Sequence, residues 1–75
     1  MNWTNGIRAA WGYQIGQDED LLAEAYQNDE YTLWRVELAR HEDDARSVIA
    51  VGHADSIEAA KTEVEAYLRR NALGE

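Results

Sequence analysis

Cysteine, proline and phenylalanine are all absent from these 75 residues. The lack of cysteine excludes disulfide staples and thiolate metal sites, and it fits a reducing cytosol. With no phenylalanine, several of the three Trp and four Tyr must form the core. No window approaches the roughly 20 apolar residues of a membrane span. Met1-Asn2-Trp3-Thr4-Asn5-Gly6 has no basic region followed by an apolar run, so neither a targeting signal nor a membrane segment is expected, and a cytoplasmic location is. Basic residues are also scarce. Seven Lys and Arg against fifteen Asp and Glu leave a net charge of −8, which repels phosphate and anionic lipid. Direct nucleic-acid binding is therefore disfavoured.

What is present is enough to fold. At 45% apolar residues the chain is too hydrophobic to be a disordered acidic tail. A single small domain over residues 1–75 is expected, burying only about 60–65% of the surface its unfolded form exposes, so partner subunits would help its stability.

The clearest strand is Tyr31-Thr32-Leu33-Trp34-Arg35-Val36-Glu37-Leu38, where Trp34, Val36 and Leu38 fall on one face and Leu33, Arg35 and Glu37 on the other. Ahead of it, apolar residues at 7, 9, 11, 13 and 15 predict a first strand within 7–16, with Gly12 as a candidate bulge. Between the two, Leu21, Leu22, Ala25 and Tyr26 share a helical face behind an Asp18 N-cap, predicting a short acidic helix. A strand from Leu22 to Gln27, turning through Asn28-Asp29 into Tyr31, competes with that reading. Arg40 to Arg46 is turn chemistry, and Ser47 to His53 reads as the returning strand of a hairpin. Asp55 or Ser56 then caps a helix whose stripe is Ile57, Ala60, Val64, Tyr67 and Leu68, with Glu58 placed to pair with Lys61 and fraying expected from Asn71 to Glu75. The expected fold is α+β: a three-stranded antiparallel sheet packed by the C-terminal helix, with a short acidic helix or loop between the first two strands.

The run Leu33-Trp34-Arg35-Val36 … Val51-Gly52-His53-Ala54-Asp55-Ser56-Ile57-Glu58-Ala59-Ala60-Lys61 resembles a pattern of very short phage and prophage accessory proteins. In that pattern a Trp-bearing strand, a polar turn and a strand closing on Gly precede a helix that opens with Ser or Thr and continues Glu-Ala-Ala-Lys. The resemblance covers about half the chain. It implies a mobile-element origin and a counter-defence role such as that of an anti-CRISPR protein, and it supplies no catalytic residues.

The residues themselves point away from catalysis. His41 and His53 are the only histidines, and Ser47 and Ser56 are explained by a strand start and a helix cap. A Ser-His-Asp arrangement from Ser47 or Ser56, His53 and Asp55 would need residues very near in sequence to converge. No glycine-rich phosphate loop is present. Asp18-Glu19-Asp20 and Glu42-Asp43-Asp44 lack the spacing of a calcium loop, so no metal, cofactor or enzymatic activity is expected.

The acid distribution is more informative. Gln17 to Glu30 contains six acids and no basic residue, and so carries −6 of the −8. Such a segment favours a basic surface and speeds encounter with it. The expected function is an acidic interaction module that binds and occludes a basic surface of a host protein or nucleoprotein complex, through Asp18, Glu19, Asp20, Glu24, Tyr26, Asp29, Glu30 and Tyr31. The simpler reading of the charge is solubility. The alternative function is a structural domain that homodimerises through an open sheet face; if Leu33, Tyr13 and a Trp share that face, the patch would serve self-association or partner docking.

Overall fold

Every connection between successive strands is short, and short connections leave consecutive strands as antiparallel neighbours. The computed structural model describes residues 1–73. It contains β1 (Asn2–Gly6), β2 (Ala9–Gln14), β3 (Glu19–Gln27), β4 (Thr32–Arg40), β5 (Arg46–Ala54) and α1 (Ile57–Arg70). The strands form one antiparallel sheet in chain order. The helix lies across one face of it, over β3, β4 and β5.

Local chemistry sets the turns. Ile7 and Arg8 close the first hairpin, with Arg8 at a φ of 58°. Asn28 Oδ1 accepts from the backbone N–H groups of Glu30 and Tyr31 at 2.8 and 2.9 Å, an Asx turn between β3 and β4. Asp43 Oδ1 likewise accepts from the Ala45 N–H at 3.0 Å, and this bond, helped by Arg40, holds the Asp43 carboxyl below the usual range.

The sheet has five strands, not three. The segment expected as an acidic helix is β3, paired over its whole length with β4 and from Leu21 to Tyr26 with β2. Its Leu, Ala and Glu residues favour a helix locally, but the sheet needs small residues here: Ala23 and Ala25, with Ala10 on β2, let α1 approach closely. β1, a polar edge strand, was not expected at all. The expected bulge at Gly12 is absent, since Gly12 pairs regularly with Trp3 and Ala23. The irregularity falls instead between Val36 and Glu37, opposite β5.

The core lies between sheet and helix. Leu21, Ala23, Ala25, Trp34 and Val36 pack with Ala60, Val64 and Leu68, so the stripe read from the sequence faces inward. Val36 and Val64 are fully buried. Trp34 packs on Tyr67 with ring centroids 6.4 Å apart and lies over Gly52, where no Cβ stands in its way. Lys61 ties β1 to the helix through a hydrogen bond to the Asn5 side chain, sits 5.9 Å from the Trp3 ring centroid, and also pairs with Glu58 at 2.9 Å.

Both helix ends are capped. Ser56 Oγ accepts from the Ala59 N–H at 3.0 Å. At the other end the Leu73 N–H donates to Leu68 O at 2.8 Å and the Ala72 N–H to Arg69 O at 3.1 Å, with Ala72 at a φ of 53°. This is a Schellman closure with alanine where glycine is usual. The fraying expected from Asn71 onward is thus replaced by an ordered cap through Leu73; residues 74 and 75 lie outside the described region.

Candidate interaction surface

Because side chains alternate along each strand, the residues between the buried ones face away from α1. The register aligns them in rows across the sheet. One row runs Thr4, Trp11, Glu24, Arg35, Val51. On one side of it lie Asn2, Tyr13, Leu22, Glu37 and Val48; on the other, Ala9, Tyr26, Leu33 and His53. Among the described residues no element covers this face, and Trp11, Tyr13, Tyr26, Leu33, Val48 and Val51 are exposed on it, Val51 by 69%. A shallow groove of about 390 Å³ runs between Trp11, Tyr13, Leu22, Glu24, Arg35 and Glu37. Arg35 lines it, 3.9 Å from Glu24 and 3.8 Å from Glu37.

One edge of the face holds a cluster of titratable groups. Asp20 accepts from Tyr13 OH at 2.8 Å, meets His41 Nε2 at 2.7 Å and accepts from the Gly16 N–H at 3.3 Å. The bond to His41, then that to Tyr13, holds the Asp20 carboxyl below the ordinary range. The same bond to Asp20 raises His41 above the usual imidazole value, and Tyr13 is raised above that of a free phenol by its bond to Asp20. The cluster ties the β2–β3 loop to the β4–β5 turn, where the His41 N–H also donates to Asp18 O at 3.0 Å.

The residues expected to bind a partner do not form one patch. Asp18, Glu19 and Asp20 sit at one end of β3 and Asp29, Glu30 and Tyr31 beyond the other, about 27 Å apart along a nine-residue strand. Nor is the segment uncompensated: Asp29 pairs with Arg8 at 2.6 Å, Asp20 with His41, and Glu24 approaches Arg35. Among the described residues, Asp18, Glu19 and Glu30 have no cation within ion-pair distance. Glu24 and Tyr26 do lie on the open face, while Tyr31 stacks edge-on against His53 with centroids 6.3 Å apart.

Tyr13, Leu33 and Trp11 share the open face, the arrangement expected to serve self-association or partner docking. Val48 and Val51 were not foreseen as part of it. The run Val48-Ile49-Ala50-Val51 is apolar throughout, so alternation could not tell its faces apart, and the bulge shifts its phase.

Among the described residues no group of three or more His, Cys, Asp or Glu is placed to hold a metal ion, and no helix is long and apolar enough to cross a membrane. Ser56 Oγ is engaged by the helix N-terminus, and the His53 ring contacts Tyr31. No protein-family model, curated protein or solved structure matches this chain.

Proposed function

We propose that the chain is a non-catalytic protein-interaction module of the cytosol whose working surface is the open face of the sheet. The observation that carries this reading is the exposure of Trp11, Tyr13, Tyr26, Leu33, Val48 and Val51 together on one face, opposite a face closed by α1. Apolar groups gathered on one exposed face around a central charged pair suit an interaction site, and Trp, Tyr and Arg are the side chains that most often dominate binding energy. The narrower role of a phage-encoded inhibitor occluding a basic surface would draw on the acids of 18–30. Five of those six acids lie at or beyond the two ends of β3 and half of the six already face a local cation, so the open face carries the proposal instead.

The test is site-directed photo-crosslinking in producing cells, with the photoreactive residue placed either at Trp11 on the open face or at Thr62 on the exposed side of α1. Adducts at position 11 and none at 62 are expected. Absence of adducts at 11 would remove the reading.

A further inference from the structure

We infer that the occupant of the open face is a second copy of this chain, stacked sheet on sheet about a two-fold axis that runs parallel to the strands between β3 and β4. This rests on the reading of that face as an interaction surface, and it goes further by naming the partner.

The argument is one of register. A two-fold axis in that position places β3 over β4 of the second copy and β2 over its β5, while height along the strands is kept. Residues in one row therefore meet residues of the same row. In the row Trp11, Glu24, Arg35, Val51, Glu24 falls on the second copy's Arg35, and Trp11 on its Val51. In the next row Tyr26 falls on the second copy's Leu33. On the other side Tyr13 falls on Val48, and Leu22 on the methylenes of Glu37. The exposed aromatic groups Trp11, Tyr13 and Tyr26 occupy β2 and β3 and the exposed aliphatic groups Leu33, Val48 and Val51 occupy β4 and β5, so each of these aromatic side chains meets an aliphatic one. Repeated by the symmetry, each such contact forms twice, as a self-complementary interface requires.

The competing axis is excluded by charge. A two-fold axis perpendicular to the strands through the Glu24–Arg35 row would set Glu24 on Glu24 and Arg35 on Arg35. Like charges placed together cost several kcal/mol at an interface. Sheets stack about 10 Å apart, a gap that an extended Glu and Arg span end to end. The roughly 30° crossing of aligned sheets displaces the outer strands most, so the pairs nearest the axis, Glu24 with Arg35 and Tyr26 with Leu33, set the register.

Net charge does not oppose this face. It carries the carboxylates of Asp20, Glu24 and Glu37 against the guanidinium groups of Arg35 and Arg46, so most of the −8 lies elsewhere. Four strands of each copy overlap, β1 lying beyond the second copy's edge; about 4.8 Å apart and about 20 Å long, they give a flat footprint of roughly 300–400 Å² per copy. That is below the size of a stable pair and within that of weak, transient ones, so dissociation in the upper micromolar range is expected.

The experiment is sedimentation equilibrium of the purified chain from low micromolar to several hundred micromolar, together with Glu24→Arg, Arg35→Glu and the double exchange. Circular dichroism checks that each variant is folded. The wild type should approach twice the 8.5 kDa chain mass. Either single reversal should weaken association at least tenfold, and the double exchange should restore it. A dimer indifferent to both reversals, or not restored by the double exchange, overturns the arrangement. The crosslinker at Trp11 separates this proposal from the broader one. Adducts of twice the chain mass support it. Adducts of another mass, with a wild type that stays monomeric, overturn the second copy and leave the interaction surface standing; no adducts overturn both. Should a reversed variant fail to fold, Val51→Lys on the exposed edge gives the same readout, and a dimer unchanged by it counts against the stacking.

Discussion

His41 Nε2 lies 2.7 Å from Asp20 Oδ1, joining the β4–β5 turn to the start of β3 across 21 residues of sequence. The bond raises His41 and lowers Asp20, so each group's titration reports on the fold. A raised histidine contributes stability in full below its unfolded value of about 6.5 and loses it as pH climbs through the higher folded value. A lowered aspartate contributes above its unfolded value of about 3.9 and loses it as pH falls through the lower folded one. The pair is therefore at full strength between about pH 4 and 6.5. Urea midpoints of the wild type and His41→Gln should differ most in that window and converge above it. A gap that stays constant from pH 5 to 9 would show that the bond is not formed in solution.

Ala72 closes α1 with a φ of 53°, a conformation that costs an L side chain energy and costs glycine none. Ala72→Gly should therefore stabilise the protein by about 0.5–1 kcal/mol, read as a higher urea midpoint at unchanged slope. Destabilisation would mean that the helix ends differently.

Gly52 admits the Trp34 indole. A Cβ at that position would stand 2.7 Å from Trp34 Nε1, which belongs to a buried ring with little room to retreat. Gly52→Ala should cost about 1–3 kcal/mol, the usual range for overpacking. A neutral result would place Trp34 away from β5.

The two faces of the sheet should respond oppositely to truncation. Val64→Ala or Val36→Ala empties space in the sealed core and should cost about 2 kcal/mol or more. Val51→Thr, on the open face, should change the monomer's stability by less than about 0.5 kcal/mol. Chemical denaturation at low protein concentration distinguishes them, and equal costs would contradict the placement of the helix.

The parts of the fold legible in the sequence are those where one physical signal acted alone. The alternation around Trp34 and Val36 and the stripe through Ala60, Val64 and Leu68 were readable because burial is one-sided there. β3 was obscured because Ala23 and Ala25 serve as spacers beneath a helix that comes more than thirty residues later, and small residues chosen for spacing carry the local preference of a helix. β1 was obscured because an edge strand with polar residues has little alternation beyond Trp3. For the candidate surface, the sequence showed where charge accumulates but not which cations fold back onto it. Arg8, Arg35 and His41 reach the acids of 18–30 only once the hairpins have closed.

Strand order that follows chain order has a kinetic consequence. Each hairpin can close with its immediate neighbour, so the sheet assembles through contacts of small sequence separation, which speeds folding among proteins rich in strands. The helix docks on a surface that exists only when β3, β4 and β5 are side by side. Until then both faces of the sheet are bare, so the final fourteen-residue helix decides which of them the finished molecule leaves open.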